Sequence, residues 1–63
     1  MKRNALLRQL VAIAAEKGMT FALVRHGANH DVYDLGGTRV IVGRHADIPE
    51  PTARDTIRKA RKL

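Results

Sequence analysis

The sequence predicts a small α+β domain with the order helix, three antiparallel strands, helix, and with both helices on one face of the sheet. Apolar residues at spacings of three and four indicate the first helix, and three short β-rich segments separated by glycines indicate the strands. A proline-containing break then precedes a second segment with helical periodicity. Each helix has one apolar face and no second one to bury elsewhere. Both helices must therefore cover the same side of the sheet and leave its other side open.

The first helix is predicted from Ala5 to Lys17. Its apolar residues form one broad face: Leu6, Leu7, Leu10, Val11, Ile13 and Ala14. We expect Asn4 to cap its start and Gly18 to end it in a left-handed conformation, which glycine adopts without steric cost.

The segments expected to form strands are Thr20–Arg25, Val32–Leu35 and Thr38–Val42. Gly36 and Gly37 suit a two-residue hairpin turn, because both can take the positive φ that such a turn requires. The connection around Gly27 is also short enough for a hairpin.

The second helix is predicted to begin at Thr52, after the run Pro49-Glu50-Pro51, which cannot continue a strand. Thr52 followed three residues later by Asp55 is similar to a capping box. The helix has an apolar face and a cationic remainder: Ala53, Ile57 and Ala60 on the first, and Arg54, Arg58, Lys59, Arg61 and Lys62 on the second.

A chain of 63 residues is expected to form a single domain, residues 1–63. It has no cysteine, which excludes disulfides, thiolate nucleophiles and zinc–cysteine sites and fits a reducing, cytoplasmic location. The basic N-terminus imitates a secretory leader, but Arg8 and Gln9 interrupt its apolar segment. No apolar run is long enough to span a membrane, so we expect no membrane association.

Twelve Lys and Arg against six Asp and Glu give a net charge of +6, which predicts a polyanionic partner. Most of the cations are arginines, whose planar fork matches phosphate oxygens, and this favours nucleic acid. The predicted helices are separated by strands, which argues against a helix-turn-helix DNA reader. The order α-β-β-β-α with basic helix ends is instead the layout of double-stranded-RNA-binding-like domains.

A metal site is not expected among the histidines. His26 and His30 have the i, i+4 spacing of a helical zinc pair, but on an extended strand that spacing spans about 13 Å. Asp31 must point to the opposite side of the strand from His30. His26 and His45 are most simply solvated residues beside turns, and we expect no cofactor.

His30 is the candidate catalytic residue, at the start of the middle strand; the alternative is a half-buried structural imidazole. RNA cleavage needs a base for the 2′-OH, a proton for the leaving 5′-oxygen and cations around the phosphate. Imidazole suits the proton transfers because its pKa is ordinarily about 6.5. Any orienting partner must come from another strand, and Arg25, Arg39 or Arg44 can supply the positive charge.

Several segments, taken in order, resemble the HicA family of toxin–antitoxin ribonucleases over nearly the whole chain. They are Gly18, Phe21, the run from Arg25 to Tyr33, the strand end from Val40 to His45, and the helix start Thr52-Ala53-Arg54. Two positions depart from the family pattern: Ala28 stands where glycine is common, and Gly43 where proline is common.

The resemblance implies a double-stranded-RNA-binding-like fold, metal-independent cleavage of messenger RNA, and inhibition by a HicB-like antitoxin that covers the active site. The family's catalytic histidine falls on His30. Asn29 and His45 belong to the matching motifs and join Arg25, Arg39 and Arg44 as expected RNA-binding residues. The alternatives are a non-catalytic RNA-binding module or degenerate toxin, and a protein-interaction domain with an acidic partner.

Overall fold

The computed structural model describes residues 1–63 and confirms the predicted fold. Its elements are α1 (Arg3–Glu16), β1 (Phe21–His26), β2 (His30–Leu35), β3 (Thr38–Gly43) and α2 (Glu50–Arg61). The strands form one antiparallel sheet in the order β1-β2-β3. The two helices pack together over one face of this sheet and leave the other face open.

The core lies between the helices and the sheet. Its buried apolar residues are Leu6, Leu10, Ile13 and Ala14 of α1, Leu35 and Val42 of the sheet, Ile48, and Ala53 and Ala60 of α2. The large side chains come from α1 and the strands, whereas α2 contributes alanines that let it approach closely. Phe21 and Tyr33 stack at a centroid distance of 4.8 Å on the same side of the sheet. Neither helix is long and apolar enough to cross a membrane.

α1 ends as predicted but begins differently. Gly18 has φ +66°, and the Met19 N–H donates to the Ala14 carbonyl at 2.8 Å, which completes a glycine C-cap. The predicted Asn4 cap is wrong, because Asn4 lies inside the first turn. The Arg3 N–H donates to the Ala46 carbonyl at 2.9 Å, so backbone satisfies this end of the helix where a capping side chain was expected.

The start of α2 also differs from the prediction. The helix begins at Glu50, with Pro51 in its first turn, and no side chain caps it, so the predicted capping box at Thr52 is wrong. Proline is compatible with the first turn because its missing N–H has no helical partner there. The Met1 ammonium lies 2.8 Å from the Glu50 carboxylate and, by hydrogen bonding and charge, lowers the pKa of Glu50.

The β2–β3 turn is the predicted one, with φ +58° at Gly36 and +94° at Gly37. The β1–β2 pairing contains a β-bulge that was not expected from the sequence. Leu23 pairs with Tyr33, and the next pair joins Arg25 to Val32, so Val24 is the extra residue. Because a bulge shifts the alternation by one, Arg25 moves to the open face and His26 to the helix-covered face.

Candidate nucleic-acid site

His30 is the first residue of β2, and its side chain is exposed. The strand alternation places it on the open face, opposite Gly43 of β3. Its imidazole makes no hydrogen bond or ion pair with the protein. Gly43 has no side chain to offer, so β3 supplies no orienting group for His30 at the directly opposite position.

Val32 and Ile41 form an apolar centre on the open face. They are cross-strand partners, and Ile41 is 62% exposed. Arg25 lies opposite Val32 on β1 and is therefore a diagonal neighbour of His30 on the same face. Arg39 lies opposite Asp34, four residues along β2 from His30, which corresponds to about 13 Å. The structure thus brings Arg25 close to His30 and leaves Arg39 at the far end of the sheet.

Arg44 fastens the end of β3 to the β1–β2 turn. Its guanidinium donates to the Gly27 carbonyl at 2.7 Å and to the Ala28 carbonyl at 3.4 Å. Its backbone N–H donates to the Asn29 carbonyl at 3.2 Å. Arg44 and Asn29, both expected RNA-binding residues, are therefore in contact. Much of the hydrogen bonding of the Arg44 side chain is to the backbone of the turn. His45 follows Arg44 in the chain and is exposed.

The turn itself is tight at Gly27. The Gly27 N–H donates to the His30 carbonyl at 3.0 Å, and a Cβ built on Gly27 would collide with that carbonyl oxygen. A residue with a side chain does not fit there without a shift of the backbone. Gly27 therefore fixes the separation of the strands where β1 ends and β2 begins.

The carboxylate of Asp31 is the centre of a polar cluster on the helix-covered face. Asp31 is only 4% exposed, and one guanidinium nitrogen of Arg3 donates to its Oδ2 at 2.6 Å. Its Oδ1 has no aligned hydrogen-bond donor, but His26 Nδ1 stands 2.9 Å and Arg44 Nε 3.8 Å from it. Arg3 also donates through Nε to the Gly43 carbonyl at 2.9 Å.

His26 is the residue whose contacts sequence reasoning missed. It was expected to be a solvated residue beside the turn, and its side chain is exposed there, but it also ends β1 with Nδ1 2.9 Å from the buried Asp31 carboxylate. The sequence does indicate part of this contact. A turn closed between Gly27 and His30 makes His26 and Asp31 the next cross-strand pair. The bulge at Val24 shifts the side-chain alternation of β1 before His26, and no residue pattern in the sequence predicts it.

A second cationic surface lies on α2. Arg54, Arg58, Arg61 and Lys62 recur at helical spacing along one exposed stripe, and none of them forms an ion pair with a carboxylate. Lys59, on another side of the helix, differs because it pairs with Asp55 at 3.3 Å. These cations were recognised in the sequence as the polar face of the helix but were not among the expected RNA-binding residues. Four unpaired cations on one stripe are suited to successive phosphates.

No three His, Asp or Glu side chains converge as metal ligands do. The arrangement offers instead an exposed imidazole on the open face, a second imidazole against a buried carboxylate, and arginines around both.

Comparisons of the chain with protein-family models, with curated proteins and with solved structures gave no match.

Proposed function

We propose that this chain is a metal-independent endoribonuclease of the HicA type, with His30 as its catalytic residue. The observation that carries the proposal is the position of His30. Its imidazole is exposed at the start of the middle strand, engaged by no other group, and lies on the sheet face that the helices leave open. Arg25 on the neighbouring strand adds a cation on the same face.

The chemistry follows from the imidazole. Neutral His30 accepts the proton of a ribose 2′-OH, and the 2′-oxygen attacks the adjacent phosphorus. The bond from phosphorus to the 5′-oxygen then breaks, and the leaving oxygen takes a proton from the imidazolium or from solvent. The products are a 2′,3′-cyclic phosphate and a 5′-hydroxyl end. Arg25 is placed to offset negative charge on the phosphate during this step.

The substrate and partner in this proposal come from the family resemblance. The substrate is messenger RNA in the cytoplasm, and a HicB-like antitoxin covers the site. The open face supports a protein partner because apolar Val32 and Ile41 lie beside His30 and leave apolar surface uncovered. The cationic stripe of α2 supports the RNA partner, since none of its cations forms an ion pair with a carboxylate.

The test is cleavage of an end-labelled RNA by the purified chain in EDTA. We expect the wild type to produce ends with a cyclic phosphate and His30→Ala to lose about 10²-fold or more of the rate. Glu16→Gln, an exposed substitution on α1 away from the site, is the control and should cleave like the wild type. Equal cleavage by wild type and His30→Ala contradicts the assignment of His30, and dependence on a divalent cation contradicts the metal-independent chemistry.

RNA binding without cleavage is the second candidate function. It is favoured by the absence of any side chain that orients His30, together with the unpaired cations of α2. This alternative predicts salt-sensitive RNA binding with no cleavage products. The same labelled RNA, analysed by gel shift and by denaturing electrophoresis, distinguishes the two functions.

A further inference from the structure

The pairing of His26 with Asp31 has the features of an oriented acid–base group. The Asp31 carboxylate is buried and anchored by Arg3 through a 2.6 Å hydrogen bond, so the position of its second oxygen, Oδ1, is fixed. His26 Nδ1 lies 2.9 Å from that oxygen, within ion-pair distance, although no donor is aligned for a hydrogen bond to Oδ1. A carboxylate at this position favours the tautomer that carries its proton on Nδ1, and this leaves Nε2 as the proton acceptor.

The opposite side of the His26 ring is accessible. The side chain is 59% exposed although Asp31 is buried, so the ring extends from the buried carboxylate towards solvent. Nε2 is the ring nitrogen that does not contact Asp31, and it is the one available to a substrate. His30 has no comparable partner, since Gly43 is opposite it and Asp31 points to the other face.

Positive charge surrounds this pair. Arg44 Nε lies 3.8 Å from Asp31 Oδ1, and the Arg44 side chain is 39% exposed. Arg3 is mostly buried and holds the carboxylate. A phosphodiester that reaches His26 Nε2 therefore meets a cationic surrounding, which favours the negatively charged transition state of phosphoryl transfer.

We propose that His26, positioned by Asp31, is a further catalytic residue for RNA cleavage; this inference rests on the proposed ribonuclease function. His26 Nε2 takes the 2′-OH proton, the 2′-oxygen bonds to phosphorus, and the 5′-oxygen leaves with a proton from the imidazolium or from solvent. His26 and His30 leave the sheet on opposite faces, so they act at separate positions and not on the two sides of one phosphodiester. Cleavage at His26 thus proceeds without His30.

The experiment measures cleavage of the labelled RNA by His26→Gln, His30→Ala and the double variant. We expect His30→Ala to keep a measurable rate, and the double variant to lose at least about tenfold of that remainder. A DNA oligonucleotide of the same sequence should not be cut, because it has no 2′-OH. If the wild type cleaves and His26→Gln has no effect in either background, the assignment of His26 is wrong and the proposed function stands. An inactive wild type overturns both.

The positioning role of Asp31 is tested separately, because Asp31→Asn disturbs a buried ion pair and can unfold the chain. Long-range proton–nitrogen NMR correlations of the wild type report which nitrogen of each neutral imidazole carries the proton. We expect the Nδ1–H form at His26 and a mixture with the Nε2–H form at His30. Predominance of the Nε2–H form at His26 contradicts the role assigned to Asp31, whatever the cleavage rate.

Discussion

Arg3 and Asp31 join the first turn of α1 to the middle strand through a hydrogen bond of 2.6 Å between guanidinium and carboxylate. Both side chains are largely withdrawn from solvent, with 20% and 6% of their surfaces exposed. The same guanidinium donates to the Gly43 carbonyl at 2.9 Å. One arginine at the helix start therefore ties β2 and β3 to α1 at the end of the sheet where both candidate histidines lie.

Removing this arginine should destabilise the fold. Arg3→Met keeps part of the aliphatic stem but leaves the buried Asp31 carboxylate with its main partner gone, and we expect a loss of about 3–5 kcal/mol in the free energy of unfolding. Urea denaturation followed by circular dichroism measures it. Lys2→Met is the matched control, because Lys2 pairs with Asp47 in the open, where an ion pair contributes only about 0–1 kcal/mol. Equal losses in the free energy of unfolding for the two variants would show that the buried ion pair stabilises the fold no more than the exposed one.

Two glycines near His30 should differ in how well they tolerate substitution by alanine. Gly27→Ala forces the new Cβ against the His30 carbonyl oxygen, so the turn must open, and we expect a loss of more than about 1 kcal/mol. At Gly43 the added Cβ would meet Ile48 Cδ1 at 3.8 Å, an ordinary contact, so Gly43→Ala should stay within about 0.5 kcal/mol of the wild type. Thermal unfolding of the two variants under identical conditions checks the contrast, which a stable Gly27→Ala variant would contradict.

The Glu50 carboxylate gives the stability a pH dependence of known sign. The Met1 ammonium lowers the pKa of Glu50 in the folded chain, so folding favours the ionised form. The stabilisation is present above the pKa of glutamate in the unfolded chain and is lost as the pH falls through the lowered folded value. We expect Glu50→Gln to melt below the wild type at pH 7 and the difference to disappear in acid. Glu16→Gln, which removes a carboxylate without an ion pair, should show no such convergence.

Local patterns identified the elements of this fold, but not the detailed register of β1. The spacing of Leu6, Leu10 and Ile13 predicted α1 and its buried face, because helical periodicity is a property of neighbours in sequence. The bulge at Val24 depends on which strand residues pair, and a strand of apolar residues fits either register. His26 was interpreted as a solvated residue because it lies beside the turn; its side chain is exposed, but its contact with Asp31 became visible only from the pairing.

The helix starts were missed for a similar reason. Asn4 and Thr52 are good capping residues in isolation, but the chain segments before both helices hydrogen-bond each other, with the Ile48 N–H donating to the Met1 carbonyl at 2.7 Å. This tertiary pairing satisfies backbone groups that a cap would otherwise serve. His30, by contrast, was expected at the start of the middle strand, and β2 does begin there, although the strand-forming segment was predicted only from Val32.

The cationic stripe of α2 should contribute to RNA affinity and to its salt dependence. Arg58→Gln and Arg61→Gln each remove a cation that has no carboxylate partner in the chain. If both contact phosphates, the slope of log affinity against log salt should fall by about 0.7 per residue for single-stranded RNA. Lys59→Gln is the matched control, because Lys59 already faces Asp55 at 3.3 Å and should change the slope less. Fluorescence anisotropy with a labelled RNA across a salt series measures all three variants. A slope that falls equally for Lys59→Gln would mean that the net charge, and not the stripe, governs binding.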